Sequence, residues 1–209
     1  MAKVISFLNG KGGVGKTTLA LNVATSLGNS GYNVMAVDTD PQFSLSDFYH
    51  EKMPFDISEA DSEKEVYKVK KKYDNYDYII IDGAGSLSNI SSSAVFMSDL
   101  VVMPLTPSAL DYKASGSLVD VIEARNETQP NKVIARWLIN KVVPGTVMTN
   151  VLKSAIAESG IEAFRTTIAQ RQSYIRSLNE EGSTIYDSKD NQAKGEIDVL
   201  VNEILEMLK

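Results

Sequence analysis

The chain has 209 residues, 43% hydrophobic and 23% charged, enough for one sizeable core and too apolar for a disordered chain. Its 27 acidic against 21 basic side chains give a formal net charge of −6, which excludes a whole-surface attraction to nucleic acid but not a local basic patch. Cysteine is absent and His50 is the single histidine, so disulfides, iron–sulfur clusters, Cys-based zinc sites, thiol catalysis and His-rich metal centres are excluded.

Met1-Ala2-Lys3-Val4 runs straight into an apolar strand without a signal-peptide core, and no apolar run approaches the length of a membrane span. The expectation is a soluble cytoplasmic protein with one domain, residues 1–209. The first strand is expected over Val4–Leu8 and a helix over Lys16–Gly28, with Leu19, Val23, Ala24 and Leu27 on one face. Between them lies Gly10-Lys11-Gly12-Gly13-Val14-Gly15-Lys16-Thr17-Thr18, the phosphate-binding loop pattern in its required strand-to-helix setting. The glycines let backbone N–H groups turn inward around phosphate oxygens, and the helix N-terminus adds positive partial charge. Lys16 is expected on the β- and γ-phosphates and the Thr17 hydroxyl on Mg²⁺. Lys11 is a second lysine in the same loop. It is either a solvated side chain or a group that reaches a nucleotide held by a second copy of the chain.

The second strand, Asn33–Asp38, continues into Thr39-Asp40-Pro41-Gln42, and the third, Tyr78–Asp82, into Gly83-Ala84-Gly85. In parallel α/β sheets ligands sit at the carboxyl ends of strands, so these segments converge on one crevice with the glycine-rich loop. Asp38 and Asp82 are expected near the magnesium and Asp40 beside the attacking water, with an N-cap or turn role as the competing reading for each. Gly83 and Gly85 suit a segment that moves when the γ-phosphate leaves. Tyr49–Asn75 is polar and charged, with at most a short helix, and its Lys68–Lys72 run reads as a solvated helix end.

Further on, a helix over Leu87–Met97, a strand over Leu100–Leu105, a helix over Asp111–Asn126, a strand over Val133–Asn140 and a helix over Val147–Ser159 are expected. The chain closes with a helix over Lys194–Leu208 whose apolar stripe docks on the sheet. Continuous apolar strands alternating with helices specify an α/β fold, a doubly wound, mostly parallel sheet flanked by helices. From Ala163 to Asn179, Arg165, Arg171 and Arg176 occur without an Asp or Glu, and Lys194 extends this candidate basic patch. The competing reading pairs these cations with acids elsewhere on the surface.

The segments Lys11–Thr18, Val37–Gln42 and Ile80–Gly85 together resemble the deviant Walker A P-loop ATPases of the ParA/MinD superfamily. Pro104–Asp111, Thr167–Arg171 and Ala193–Glu196 are similar to the matching ParA segments, so the resemblance spans essentially the whole chain. It is closest to the small ParF-like plasmid partition proteins. The resemblance implies an ATPase with ATP and Mg²⁺ as cofactors, in which Lys11 contacts phosphates across an ATP-sandwich homodimer and Gly12 permits the close approach. It further implies that Asp40 serves hydrolysis and that Asn140 contacts adenine, strand-end capping being the alternative for Asn140. Arg171 and Lys194 would bind DNA without sequence preference. The implied partners are nonspecific DNA and a centromere-binding, ParB- or ParG-like adaptor, at the nucleoid, with higher polymers as an extension of the dimer. With only a few residues ahead of the first motif, no helix-turn-helix extension is expected, and the acidic closing helix argues against a membrane anchor of the MinD kind. A polymer-forming scaffold and a small-molecule enzyme of the dethiobiotin synthetase type are the rival readings.

Overall fold

Among the residues described by the computed structural model (1–42, 44–108, 115–143, 145, 147–178 and 182–209, without the side chains of 147–151), six strands pair in parallel throughout. They are β1 (Lys3–Phe7), β2 (Val34–Asp38), β3 (Asp56–Glu59), β4 (Tyr78–Asp82), β5 (Leu100–Leu105) and β6 (Ile134–Ile139), in the order β3-β2-β4-β1-β5-β6. Every residue of β2 and β5 is buried, as unbroken apolar runs covered on both faces require. The register sets Asp38 opposite Asp82, and Asp82 opposite Phe7, so the acidic strand ends lie level beside the end of β1.

The helices are α1 (Lys16–Asn29), α2 (Glu63–Val66), α3 (Val69–Lys72), α4 (Asn89–Met97), α5 (Gly116–Thr128), α6 (Val147–Glu158), α7 (Gln172–Ser177) and α8 (Asn191–Met207). One face of the sheet is covered by α1 and α8, through Leu19, Val23 and Leu27 against Ile197, Leu200 and Ile204. On the other face lie Ala94 and Val95 of α4, Leu118 and Ile122 of α5, and Leu152 and Ile156 of α6. Trp137 of β6 is buried in that second layer and donates its indole N–H to Ser159 Oγ at 3.1 Å. Among the described residues no helix is long and apolar enough to cross a membrane.

The expected elements are present with small shifts at their ends, and three differences are informative. The polar stretch 49–75 contains β3, an edge strand whose Asp-Ile-Ser-Glu sequence carries one apolar residue because one of its edges has no partner strand. Its lysine run forms α3, where Val69 is buried, Lys70 pairs with Asp99 at 3.0 Å and Lys72 lies over the Tyr73 ring. The last helix starts at Asn191 rather than Lys194, because the Asp190 carboxylate accepts the Ala193 N–H at 3.0 Å and caps it. The start of the helix expected from Asp111, with Ala109 and Leu110, falls outside the described residues, as does Asn179.

The open edge of β6 is finished by the segment 161–171, which meets it at isolated bridges, Trp137 with Ala163 and Val142 with Ala169. Three further amides of this segment bond to carboxylates of α8. Glu203 accepts the Arg165 N–H at 2.7 Å, the Thr166 N–H at 3.1 Å and the Thr166 hydroxyl at 2.8 Å, while Glu196 accepts the Ala169 N–H at 3.2 Å. Burial pushes the Glu203 pKa up, but these donors outweigh it and hold the carboxyl below its ordinary value.

Candidate phosphate-binding site

The loop from β1 to α1 needs left-handed backbone at Gly13 (φ 77°) and Gly15 (φ 98°), the second of which stands at the N-cap of α1. A Cβ on Gly15 would overlap Asn140 Nδ2, so glycine also permits the approach of β6 to the loop. Lys16 is buried, and its ammonium donates to the Lys11 carbonyl at 3.0 Å. Burial lowers its pKa, opposed by the nearby Asp82 and Asp40 carboxylates. Asn9, absent from the sequence-based set, supports the loop from beneath: Nδ2 donates to Pro104 O at 2.7 Å and Oδ1 accepts the Lys11 N–H at 2.9 Å.

The two strand-end aspartates differ in what surrounds them. Asp38 accepts the Asp40 N–H on Oδ1 at 3.0 Å and the Leu45 and Ser46 N–H groups on Oδ2 at 2.8 and 2.9 Å. Both of its oxygens therefore take part in organising the loop that carries Asp40, a turn role that leaves the expectation of metal binding by Asp38 open. Burial raises its pKa while those amides lower it. Asp82 is fully buried, and among the described residues neither carboxylate oxygen has a partner at hydrogen-bond distance and angle, although the Thr17 hydroxyl stands near enough to affect it. Burial raises its pKa to about 8, with the Thr17 hydroxyl as the main opposing influence and Lys16 a weaker one. A buried carboxylate with both oxygens unmet beside a threonine hydroxyl fits a hard cation that arrives with phosphate. Thr17 and Asp82 would hold Mg²⁺. Among the described residues no group of three His, Cys, Asp or Glu side chains could hold a metal without such help.

Beside the loop lies a cavity of about 310 Å³, lined by Gly15, Thr18, Asn140, Ile168, Tyr174 and neighbouring residues. Asn140 stands on its wall, but its Nδ2 donates to the Val14 carbonyl at 2.8 Å and its Oδ1 accepts the Lys141 N–H at 2.9 Å. A flat, largely apolar group joined to phosphates would fill the cavity with its phosphates in the loop. Gly12 is exposed, and a Cβ built on it meets nothing within 4 Å; a Cβ on Gly85 would come within 3.4 Å of Gly12 Cα, so the segment after β4 rests against the loop. Asp40 stays partly exposed, its Oδ1 accepting the Gln42 N–H at 2.9 Å.

The four candidate DNA-contacting cations do not form one bare patch. Arg165 pairs with Glu206 at 2.8 Å and Glu203 at 3.5 Å, and Arg171 pairs with Glu196 at 2.7 Å. Arg171 and Arg176 line an open cleft that also contains Lys189, Asp187 and Asp190, whereas Arg165 and Lys194 do not line it. Glu196 and Glu203, which hold these arginines and the segment behind the cavity, give no signal in the sequence beyond acidic positions on an amphipathic helix.

Comparison with known proteins places these features in a family. The model of the CobQ/CobB/MinD/ParA nucleotide binding domain matches residues 5–185. The maintenance of carboxysome distribution protein A of Halothiobacillus neapolitanus is 28% identical over 216 residues, covering 98% of this chain and 97% of that one. Protein ParA of Rhizobium radiobacter is 27% identical over 195 residues, covering 90% and 87%. In fold, the chain resembles an ATP complex of a McdA variant from Cyanothece, with a TM-score of 0.80 at 14% identity over 97% of this chain and 96% of the other.

Proposed function

The chain belongs to the CobQ/CobB/MinD/ParA nucleotide-binding family, and from that premise we propose that it is a ParA-type ATPase that partitions cargo along DNA. The observation that carries the reading is Asp82, a buried carboxylate with two unmet oxygens beside Thr17 and Lys16 in the phosphate loop. ATP seats its base in the cavity beside Asn140 and its phosphates on the amides of Gly10 to Thr18. Lys16 neutralises the β- and γ-phosphates. Thr17 and Asp82 would hold Mg²⁺, which when bound would supply charge neutralisation at the transferring phosphoryl group. Asp40, on the loop that Asp38 organises, orients the attacking water, and Gly83 and Gly85 let the segment after β4 respond to loss of the γ-phosphate.

A second copy completes the site. Lys11 reaches the partner's phosphates, and exposed Gly12 leaves space for that approach. DNA contact is assigned to Arg165, Arg171, Arg176 and Lys194 in the dimer. Two copies double the phosphate contacts, which matters for a chain of net charge −6 with two of these arginines already paired. A centromere-binding adaptor stimulates hydrolysis and release, at the nucleoid. The likeness to a carboxysome distribution protein favours a second reading, in which the cargo is a protein compartment rather than a plasmid or chromosome.

Sedimentation and phosphate release with ATP, Mg²⁺ and random duplex DNA, with and without the product of the adjacent gene, test the proposal. The wild type is expected to dimerise with ATP, to bind DNA only then, and to hydrolyse faster with the adaptor. Lys11→Ala should bind ATP yet remain monomeric, and Asp40→Ala should dimerise without turnover. A Lys11→Ala chain that dimerises normally refutes the cross-subunit role. ATP-dependent light scattering without DNA would instead support the polymer-forming scaffold.

A further inference from the structure

Lys141 has φ 56°, and among the described residues it is the only non-glycine with positive φ. Lysine carries a Cβ penalty in the left-handed region that glycine avoids, so a lysine held there must be compensated by its surroundings. The compensation is visible: Lys141 lines the cavity, and its ammonium donates to the Gly13 carbonyl at 2.7 Å. Its neighbour Asn140 donates to the next carbonyl, that of Val14, at 2.8 Å. All peptide bonds described are trans. In a trans peptide the C=O of one residue and the N–H of the next point in opposite directions. Pinning the Gly13 and Val14 carbonyls toward Lys141 and Asn140 therefore turns the Val14 and Gly15 N–H groups to the opposite side, away from those two side chains.

We propose that Lys141 is a positioning residue for phosphate binding, a side-chain buckle that sets the Val14 amide before the nucleotide arrives. The inference rests on the nucleotide-binding reading of the loop. It also explains why a strained position carries a long cationic side chain, since glycine would satisfy the backbone and leave the carbonyl free to rotate.

The test uses the full chain with ADP as probe, in the wild type, Lys141→Gly and Lys141→Arg. Lys141→Gly keeps the backbone and deletes the donor, so its melting temperature should be unchanged or higher. Its ADP affinity should fall by about tenfold, the loss of one charge-assisted hydrogen bond. The Val14 amide resonance should shift in the nucleotide-free variant, which a role in direct ADP contact would not produce. Lys141→Arg retains a cationic donor and should restore both affinity and resonance. The proposal is overturned if Lys141→Gly binds ADP as the wild type does, or loses affinity with the Val14 resonance unmoved, or if Lys141→Arg fails as Lys141→Gly does. A wild type that does not bind ADP overturns the nucleotide reading underneath it.

Discussion

Two regions of the molecule use carboxylates in opposite ways. At the carboxyl ends of β2 and β4, Asp82 is sealed from water with neither oxygen satisfied, and the buried Lys16 donates to a carbonyl instead of closing an ion pair. At the β6 edge, Glu203 and Glu196 are saturated with donors, holding the segment 161–171 against β6 and binding Arg165 and Arg171. Unmet demand marks the place where a ligand is expected, and complete satisfaction marks the place where the chain is joined to itself. Burial alone does not separate the two, since Glu203 and Asp82 are both inaccessible.

The contrast can be broken at three points. Asp82→Asn should have the largest effect, lowering turnover with Mg²⁺ and ATP by on the order of 100-fold or more. The melting temperature should hold or rise, because an unpartnered buried carboxylate contributes nothing to the empty fold. A drop in stability with turnover intact would show that Asp82 belongs with the structural acids. Glu203→Ala should do the reverse, costing on the order of 2 kcal/mol in urea unfolding because four donors, three of them on the backbone or hydroxyl of Arg165 and Thr166, lose their acceptor. Its ADP affinity should stay at the wild-type value, measured by calorimetry on the folded fraction. Arg165→Ala should be the mildest, within ~0.5 kcal/mol of the wild type, since its side chain is 78% exposed and its ion pairs are screened. A larger loss would mean that the arginine, and not the backbone amides, anchors Glu203.

Local patterns carried much of this into the sequence. Unbroken apolar runs such as Tyr78–Asp82 betray strands covered on both faces, and the loop's glycines must stand where they do for amides to face a phosphate. What stayed hidden depends on contacts between distant residues. The Asn140–Lys141 turn meets Val14 and Gly13 across more than a hundred residues, and neither partner forms a short motif with the other. Strand β3 escaped because an edge strand needs few apolar residues. Glu196 and Glu203 looked like the solvated face of a helix, since their recipients are amides of an irregular segment that periodicity does not reveal. Asp38 and Asp82 looked alike as strand-ending acids, and only the amides around Asp38 distinguish them.

The lone tryptophan gives this division an optical handle. Trp137 lies on β6, three positions before Asn140, shielded from water and hydrogen-bonded to Ser159. All indole emission from the chain thus originates beside the edge that Glu203 and Glu196 secure. A fluorescence melt reads that edge, while far-ultraviolet dichroism averages over every helix and strand. Coincidence or divergence of the two curves would tell whether the joined edge and the waiting crevice form one cooperative unit or two.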